Sequence, residues 1–130
     1  MVATRTGKKG ADAILVMPKV GYMDALRSNP GLPLSLLHAC SKAAQYYDIR
    51  IVDLRNTLNW KDAIRHHVGR NTKVVGITSF TGRMMLSALQ VTNFAKFELG
   101  LPVVWGGIHA SMNAKDVVSD SRVDYVVAGE

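Results

Sequence analysis

Short apolar runs alternate with longer stretches of mixed polarity along the whole chain. Most of these runs are continuously apolar, as is typical of strands that helices cover on both faces. Strands that alternate with helices indicate βαβ units and a parallel sheet. We therefore expect an α/β fold with a five-stranded, parallel, doubly wound sheet of Rossmann-like or flavodoxin-like form and strand order 2-1-3-4-5. The predicted strands are residues 13–17, 49–54, 73–79, 102–106 and 123–128.

The stretches between the strands have helical periodicity. Pro33 is suited to the first turn of the first helix, and residues 83–99 form the longest helix. Asn113 resembles a helix N-cap with Asp116 as its capping-box partner, which predicts a brief helix before the last strand. The apolar faces are predicted at Leu34, Leu37, Cys40, Ala44 and Tyr47 in the first helix, Trp60, Ile64 and Val68 in the second, and Met85, Ala88, Leu89, Thr92 and Ala95 in the third.

The composition is that of one globular domain. Of the 130 residues, 48% are hydrophobic and 20% are charged, which is far from the balance of disordered chains. We expect a basic flexible tail over residues 1–12 and a folded domain over 13–130. No apolar run approaches the roughly 18 residues that span a bilayer, so no membrane association is expected. Cys40 is the only cysteine, which excludes a cysteine-only metal site and favours a reducing cytoplasm.

The net charge of +6 raises the question of nucleic-acid binding, because clustered Lys and Arg neutralise phosphates. The basic residues are scattered, with one small group at Arg5, Lys8 and Lys9, and no aromatic residues are interleaved with them. This pattern favours a solvated surface, and no nucleic-acid partner is expected. His66 and His67 are adjacent, so they point in different directions from a helix and are interpreted as surface residues.

The third and fourth predicted strands both run into glycine and small hydroxyl residues. Glycine lets a backbone approach a ligand closely, and short hydroxyls can hydrogen-bond a ligand without filling the crevice. Ligands of doubly wound sheets bind beyond the carboxyl ends of the strands, so these ends predict a binding rim. The glycine pair also fits a tight strand-to-loop turn, and that alternative stays open. The rim residues are Thr78, Ser79, Phe80, Thr81, Gly106 and Gly107.

The strand-end loops lack the motifs of the common nucleotide-binding folds. The first loop begins Pro18-Lys19-Val20-Gly21, without a Gly-x-Gly-x-x-Gly turn, and no P-loop or nucleophile elbow occurs in the chain. Asp53 ends the second strand, where dinucleotide-binding folds keep a ribose-binding acid. Without the glycine turn we interpret Asp53 as a structural residue. The rim therefore suits a large polar cofactor that brings its own chemistry.

With these features the chain resembles the cobalamin-binding domain at the N-terminus of many radical S-adenosylmethionine enzymes, the class B methylases and their relatives. The resemblance extends along nearly the whole chain from Ala13 onward. It rests on the order and spacing of several short segments rather than on any one of them. These segments are residues 31–37, 52–54, 75–81, 104–111 and 123–130.

The resemblance implies that cobalamin is held at the strand ends. The hydroxyls of Thr78, Ser79 and Thr81 would contact its nucleotide tail, and the glycine pair would let the backbone approach that tail. His109 belongs to the family's Gly-Gly-x-His pattern, which implies a hydrogen bond to the cofactor or the loop rather than cobalt ligation. Further cofactor contacts are implied for Pro18, Gly21, Phe80, Gly106, Gly107 and Glu130.

Two departures from the family pattern refine this expectation. Lys19-Val20-Gly21-Tyr22 lacks the histidine with which Asp-x-His-x-x-Gly carriers ligate cobalt, so a base-off corrinoid without that ligand is implied. The Cys-x-x-x-Cys-x-x-Cys motif of the radical enzymes is absent as well. We therefore expect a fragment that binds cobalamin and is not catalytic alone. Its parent enzyme would carry a C-terminal radical barrel, S-adenosylmethionine and a [4Fe-4S] cluster, and would catalyse methyl transfer or a rearrangement. The alternative is a stand-alone flavodoxin-like interaction or sensor domain that has lost corrinoid binding.

Overall fold

The computed structural model describes residues 7–21, 24 and 31–129. Its sheet has five strands, all parallel, in the order β2-β1-β3-β4-β5. The predicted fold class and strand order are confirmed. The strands are β1 (Ala13–Met17), β2 (Ile49–Asp53), β3 (Val74–Thr78), β4 (Val103–Gly106) and β5 (Tyr125–Val126).

The α-helices of the described residues are α1 (Leu34–Ala43), α2 (Trp60–Arg65), α3 (Met84–Asn93), α4 (Ile108–Met112) and α5 (Ala114–Ser119). Helix α3 continues into a π-helical turn at Phe94–Glu98, so the helix predicted over 83–99 is confirmed with a wider last turn. Helix α4 was not predicted, because its 5 residues are too few to produce a periodic pattern. Within the described ranges, no helix combines the length and apolar character needed to cross a bilayer.

The short helices α4 and α5 meet at Asn113. This residue occupies the N-cap position of α5, but its side chain makes no capping hydrogen bond. Its Nδ2 instead donates to the carbonyl of His109 in α4, 3.1 Å away. The predicted capping box with Asp116 is therefore wrong, because α4 offers carbonyls that have no partner within their own short helix.

One face of the sheet carries the main core. Ile77 of β3 and Trp105 of β4 are 2% exposed on this face, and Ile64 of α2 and Phe94 after α3 pack in the same cluster. The buried indole N–H of Trp105 needs an acceptor, and Thr92 Oγ1 accepts its hydrogen bond at 2.9 Å. The face predicted for the third helix is confirmed, since the residues at these positions are buried or half-buried: Met85, Ala88, Leu89, Thr92 and Ala95.

The other face of the sheet, which we call the α1 face, is only partly covered. Leu15 and Met17 of β1 pack against Leu36 of α1. Towards β5 this face opens to solvent, where Tyr125 is 62% and Val127 is 56% exposed. The two faces of the sheet therefore differ in depth of burial, and the α1 face is the shallower one.

Helix α1 buries a different side from the one predicted. Leu36 is 7% exposed, whereas Leu37 is 44% and Tyr47 is 53% exposed. The buried side runs through Leu36 and the half-buried Cys40, which lie four residues apart on the helix. The predicted face is therefore wrong for Leu37, Ala44 and Tyr47 and right for Cys40, whereas the side chain of Leu34 lies outside the described part of the structure. Ala44 and Tyr47 are exposed because the helix ends at Ala43.

The last strand is shorter than the predicted 123–128. Asp124 precedes it, and the Asp124 carboxylate accepts a hydrogen bond from Val103 N at 2.8 Å. The same carboxylate pairs with Lys96 Nζ at 2.5 Å. A side chain thus takes over a hydrogen bond of β4, and the strand pairing begins only at Tyr125.

The segment formed by residues 8–12 is bound to the loop before β3. Gly10 N donates to Asn71 Oδ1, and Asn71 Nδ2 donates to Gly10 O, both at 2.7 Å. Ala11 is 3% exposed, and a Cβ on either Gly10 or Gly69 would overlap the backbone of the other segment. Residues 8–12 therefore belong to the folded domain, and the predicted flexible tail is wrong for them, because two glycines allow a backbone contact that polarity and charge do not reveal.

Candidate functional site

The carboxyl ends of β1, β3 and β4 meet at one edge of the sheet. Thr78 at the end of β3 pairs in register with Gly106 at the end of β4. Ser79 and Gly107 follow them directly, and His109 N donates to Ser79 O at 3.2 Å. The predicted rim residues of the third and fourth strands therefore lie together.

Ser79 connects β3, β4 and α4 through its hydrogen bonds. It is 1% exposed, and its hydroxyl donates to Gly106 O at 2.7 Å while accepting from Ala110 N at 3.2 Å. Its own backbone N–H also donates to Gly106 O, at 2.8 Å. The hydroxyl proton of Ser79 is thus used within the chain, and the residue positions the start of α4 rather than presenting a donor to a ligand.

The two glycines of the rim have different roles. Gly107 has φ +90°, and a Cβ there would lie 2.8 Å from the backbone N and O of Ser79 and from Thr78 Oγ1. Gly107 is therefore required by the packing of the chain itself, in agreement with the alternative that the glycine serves a tight strand-to-loop turn. A Cβ on Gly106 would meet no atom within 4 Å, and its φ is outside the left-handed region. Open space lies beside Gly106, at the place where the resemblance implies a cofactor tail.

The Thr78 side chain borders that open space. Residues paired in register on neighbouring strands carry their side chains on the same face of the sheet, so Thr78 lies next to the position where Gly106 has none. Thr78 is 6% exposed, and its hydroxyl makes no hydrogen bond within the described ranges. No buried polar side-chain atom of the described residues lacks a partner, so this hydroxyl is open to solvent and available to a ligand.

Thr81 and His109 form a polar pair at the outer end of the rim. Thr81 Oγ1 lies 2.9 Å from His109 Nδ1, and Phe80 beside them is 55% exposed. The hydrogen bond holds the imidazole through Nδ1, and Nε2 remains available as a donor or an acceptor. Among the described residues, no group of three or more His, Cys, Asp or Glu side chains could hold a metal ion.

The start of the first loop is held against α3. Pro18 is buried, and Lys19 N donates to Ser87 Oγ at 3.0 Å. Gly21 has φ +103°, and its N–H donates to the Asp24 carboxylate at 3.0 Å. Pro18 and Gly21 thus border the same edge of the sheet as Thr78, whereas Glu130, the last residue implied by the resemblance, lies outside the described residues.

Asp53 at the end of β2 is committed to a structural ion pair. Arg55 Nη2 donates to Asp53 Oδ2 at 2.7 Å and Arg55 Nε donates to Asp53 Oδ1 at 3.0 Å. These hydrogen bonds hold the pKa of the Asp53 carboxyl below its ordinary value. Arg55 itself is only 8% exposed, and sequence reasoning missed it because its partner lies two residues away in a loop without periodicity.

A cavity of about 240 Å³ lies behind the rim, on the face that carries the main core. Met85 and Leu89 of α3 line it together with Trp105 and His109, and Arg122 lies on its polar side. Arg122 pairs with Asp120, and this hydrogen bond lowers the pKa of Asp120 to about 2. The charges lining this cavity are thus largely satisfied by each other.

No family model matches the chain, and no curated protein or solved structure is significantly similar to it. The interpretation of the site therefore depends on its own geometry.

Proposed function

We propose that this chain is a cobalamin-binding module of a radical S-adenosylmethionine enzyme, and that the nucleotide tail of the corrinoid lies at the carboxyl ends of β3 and β4. The observation that carries the proposal is the Thr78 hydroxyl, which has no partner in the described chain and borders the open space at Gly106. The hydroxyl is open to solvent, because no buried side-chain N or O atom of the described residues lacks a partner. A ligand with polar atoms would supply the missing partner.

The residues at Gly106 and Thr78 are better suited to holding the nucleotide tail of the corrinoid than to ligating its cobalt. Open space at Gly106 and the single hydroxyl of Thr78 suit a narrow group with hydrogen-bonding atoms, and this space lies at the strand ends where ligands bind doubly wound sheets. Ser79 and Gly107 would act indirectly, since their contacts fix the geometry of the slot. His109 would contact the outer part of the cofactor through Nε2, because Nδ1 is already bonded to Thr81.

The corrinoid would supply the methyl-transfer or radical chemistry of its cobalt, and this chain would hold and orient it. The described part of the first loop, Lys19 to Gly21, has no imidazole, so the proposal requires a base-off corrinoid without a histidine from that loop. Cys40 is the single cysteine, so a [4Fe-4S] cluster and the S-adenosylmethionine site would come from a radical barrel elsewhere in the parent enzyme. Under the proposal the enzyme works in the cytoplasm, and the barrel is the partner of this module.

The test is a titration of the chain with hydroxocobalamin, followed by its visible spectrum and by co-elution on a gel-filtration column. We expect saturable binding for the wild type and a loss of affinity of at least about tenfold for Gly106→Leu, because the new side chain fills the slot. Thr78→Val should weaken binding by about two- to tenfold, the worth of one hydrogen bond.

The matched control is Ala39→Leu, which adds the same side chain to the exposed side of α1 and should bind like the wild type. Gly106 has ordinary φ and an empty Cβ position, so Gly106→Leu should unfold at the same urea concentration as the wild type. The absence of any spectral change at micromolar concentrations, or equal binding by Gly106→Leu, would contradict the proposal.

The second candidate function, an interaction module, is favoured by the exposed apolar residues on the α1 face. Tyr125 and Val127 lie there with more than half of their surface exposed, and large exposed apolar patches mark contact surfaces. A chain that ignores corrinoids but self-associates in sedimentation experiments, and becomes monomeric as Tyr125→Ser, would support this function instead.

A further inference from the structure

The amino ends of the strands enclose a second pocket, on the opposite edge of the sheet from Thr78 and Gly106. Its volume is about 420 Å³, larger than the cavity behind the rim. We call it the amino-end pocket. It is lined by Lys8, Lys9, Gly10, Ala11, Asp48, Arg50, His66 and His67.

The charge of this lining is unbalanced. Lys8, Lys9 and Arg50 are permanent cations, whereas Asp48 is the single carboxylate among the lining residues. Asp48 is already paired, since Arg50 Nε lies 2.9 Å from its Oδ1. The nearby Asp12 carboxylate does not line the pocket and accepts its hydrogen bonds from Asp48 N and Asn71 Nδ2, at 2.8 and 3.0 Å. Hydrogen bonds from Asp48 N and Asn71, followed by the charges of Lys73 and Lys9, lower the pKa of Asp12. Asp12 therefore offsets part of the charge of Lys9, and a smaller excess of positive charge remains at the amino-end pocket.

The backbone of the segment that carries the two lysines is held in place by hydrogen bonds. Arg70 N donates to Lys8 O at 3.0 Å, and Ala11 N donates to His67 O at 2.8 Å. The Gly10 and Asn71 pair closes the same contact with two hydrogen bonds. Lys8 Nζ donates to His66 O at 3.3 Å, so its ammonium lies at the pocket, and Lys9 is an exposed side chain of the same segment.

The two histidines add titratable donors to the lining. Their ring centroids are 5.0 Å apart at an interplanar angle of 84°. Burial, followed by the neighbouring charges of His66, Arg50 and Lys8, holds the pKa of His67 below its ordinary value, while Asp48 acts weakly in the opposite direction. An anion in the pocket would reverse the balance of these charges and favour the protonated imidazole.

We propose that the amino-end pocket binds a phosphate-bearing anion of the diphosphate or triphosphate class. A singly charged carboxylate would offset only part of the excess positive charge, whereas a polyphosphate offers several charges and acceptor oxygens. Arginine and lysine are the side chains that bind phosphate most strongly, the former through its planar fork and the latter as a point charge.

A small polyphosphate fits better than a nucleic-acid strand. The cations line one pocket instead of a long stripe, and among the described residues no Trp, Tyr or Phe lines that pocket to stack on bases. The pocket is also far along each strand from the proposed cobalamin site, so the two proposals are independent.

The test is calorimetric titration of the whole chain at low ionic strength with sodium tripolyphosphate, pyrophosphate and inorganic phosphate. We expect one saturable site, with affinity falling in that order. Lys9→Gln and Arg50→Gln should each weaken tripolyphosphate binding about tenfold, the effect of losing one charge-assisted contact. Lys42→Gln removes an exposed lysine of α1 and should change the affinity less than about twofold.

Three further measurements separate the outcomes. Urea unfolding midpoints of the variants should match the wild type, because Arg50 and Asp48 form an exposed pair of small worth. The imidazole proton resonances of His66 and His67 should shift on tripolyphosphate addition, and the pKa of His67 should rise in the complex. Hydroxocobalamin binding should be unaffected by Lys9→Gln.

Equal losses in Lys9→Gln and Lys42→Gln, or the absence of a saturable site, would overturn the proposal in favour of diffuse screening. Tighter binding of a single-stranded oligonucleotide than of tripolyphosphate at equal phosphate concentration would overturn it in favour of a nucleic-acid surface.

Discussion

The two ends of the sheet use opposite chemistry. At the carboxyl end the rim is built from glycines and short hydroxyls, and the neutral hydroxyl of Thr78 makes no hydrogen bond in the described chain. At the amino end the lining consists largely of cations and imidazoles around a larger space. Under the two proposals, the carboxyl end would select its ligand by shape and single hydrogen bonds, and the amino end would select by charge. One parallel sheet can therefore present two unrelated kinds of site, because all its strands start at one edge and end at the other.

The sharpest contrast within the carboxyl end is between its two glycines. Gly107→Ala should lower the free energy of unfolding by about 2–4 kcal/mol, because a Cβ at φ +90° would press on the Ser79 backbone. Gly106→Ala should leave it unchanged or raise it by up to about 1 kcal/mol, since the position is open and the loss of flexibility favours folding. Urea unfolding of both variants measures the difference, and equal effects would show that the two glycines are not distinct.

The two hydroxyls of the rim provide a smaller contrast. Ser79→Ala should lower the free energy of unfolding by about 1–2 kcal/mol, because it leaves the buried Ala110 N–H without its acceptor. Thr78→Val should change it by less than about 0.5 kcal/mol, since the hydroxyl makes no hydrogen bond in the described chain. Chemical denaturation followed by Trp fluorescence would measure both changes. A larger loss of stability for Thr78→Val than for Ser79→Ala would contradict the structural role assigned to Ser79.

The smallest expected effect concerns the amino end. The pKa of His67 is lowered in the folded state, first by burial, so the folded chain binds fewer protons than the unfolded chain near the ordinary histidine pKa of about 6.5. Its contribution to stability is therefore complete above about pH 6.5 and falls as the pH drops below that value.

Between about pH 7.5 and pH 5.5 the wild type should lose a few tenths of a kcal/mol more than His67→Gln, an amount kept small by solvent screening. Urea unfolding at the two pH values checks this. Identical losses of stability in the wild type and in His67→Gln would show that the protonation of His67 is not disfavoured by folding.

The strands of the sheet could be predicted from the sequence, because a short, continuously apolar run is stable mainly when helices cover both of its faces. Val74–Thr78 and Val103–Gly106 lie inside the predicted runs, and the rim residues followed from the ends of these strands. The difference between Thr78 and Ser79 could not be predicted, because it depends on α4 packing its Ala110 N–H on one hydroxyl and not the other. Helix α4 is too short to leave a periodic signal.

The amino-end pocket escaped prediction for a different reason. Its residues belong to three separate parts of the chain, around Lys9, Arg50 and His67. Each part alone is an ordinary solvated stretch, and the basic residues looked scattered. The strand order brings them together, because β1 lies between β2 and β3 and the residues that precede these strands become neighbours.

The contact between Gly10 and Gly69 has an evolutionary consequence. Each glycine leaves the space that the other segment's backbone occupies, so a side chain gained at either position is harmful while the other segment stays in place. No sequence of single substitutions leads away from the pair without first releasing the segment that carries Lys8 and Lys9. Descendants of this chain should therefore keep both glycines together, or lose both together with the lysines beside them.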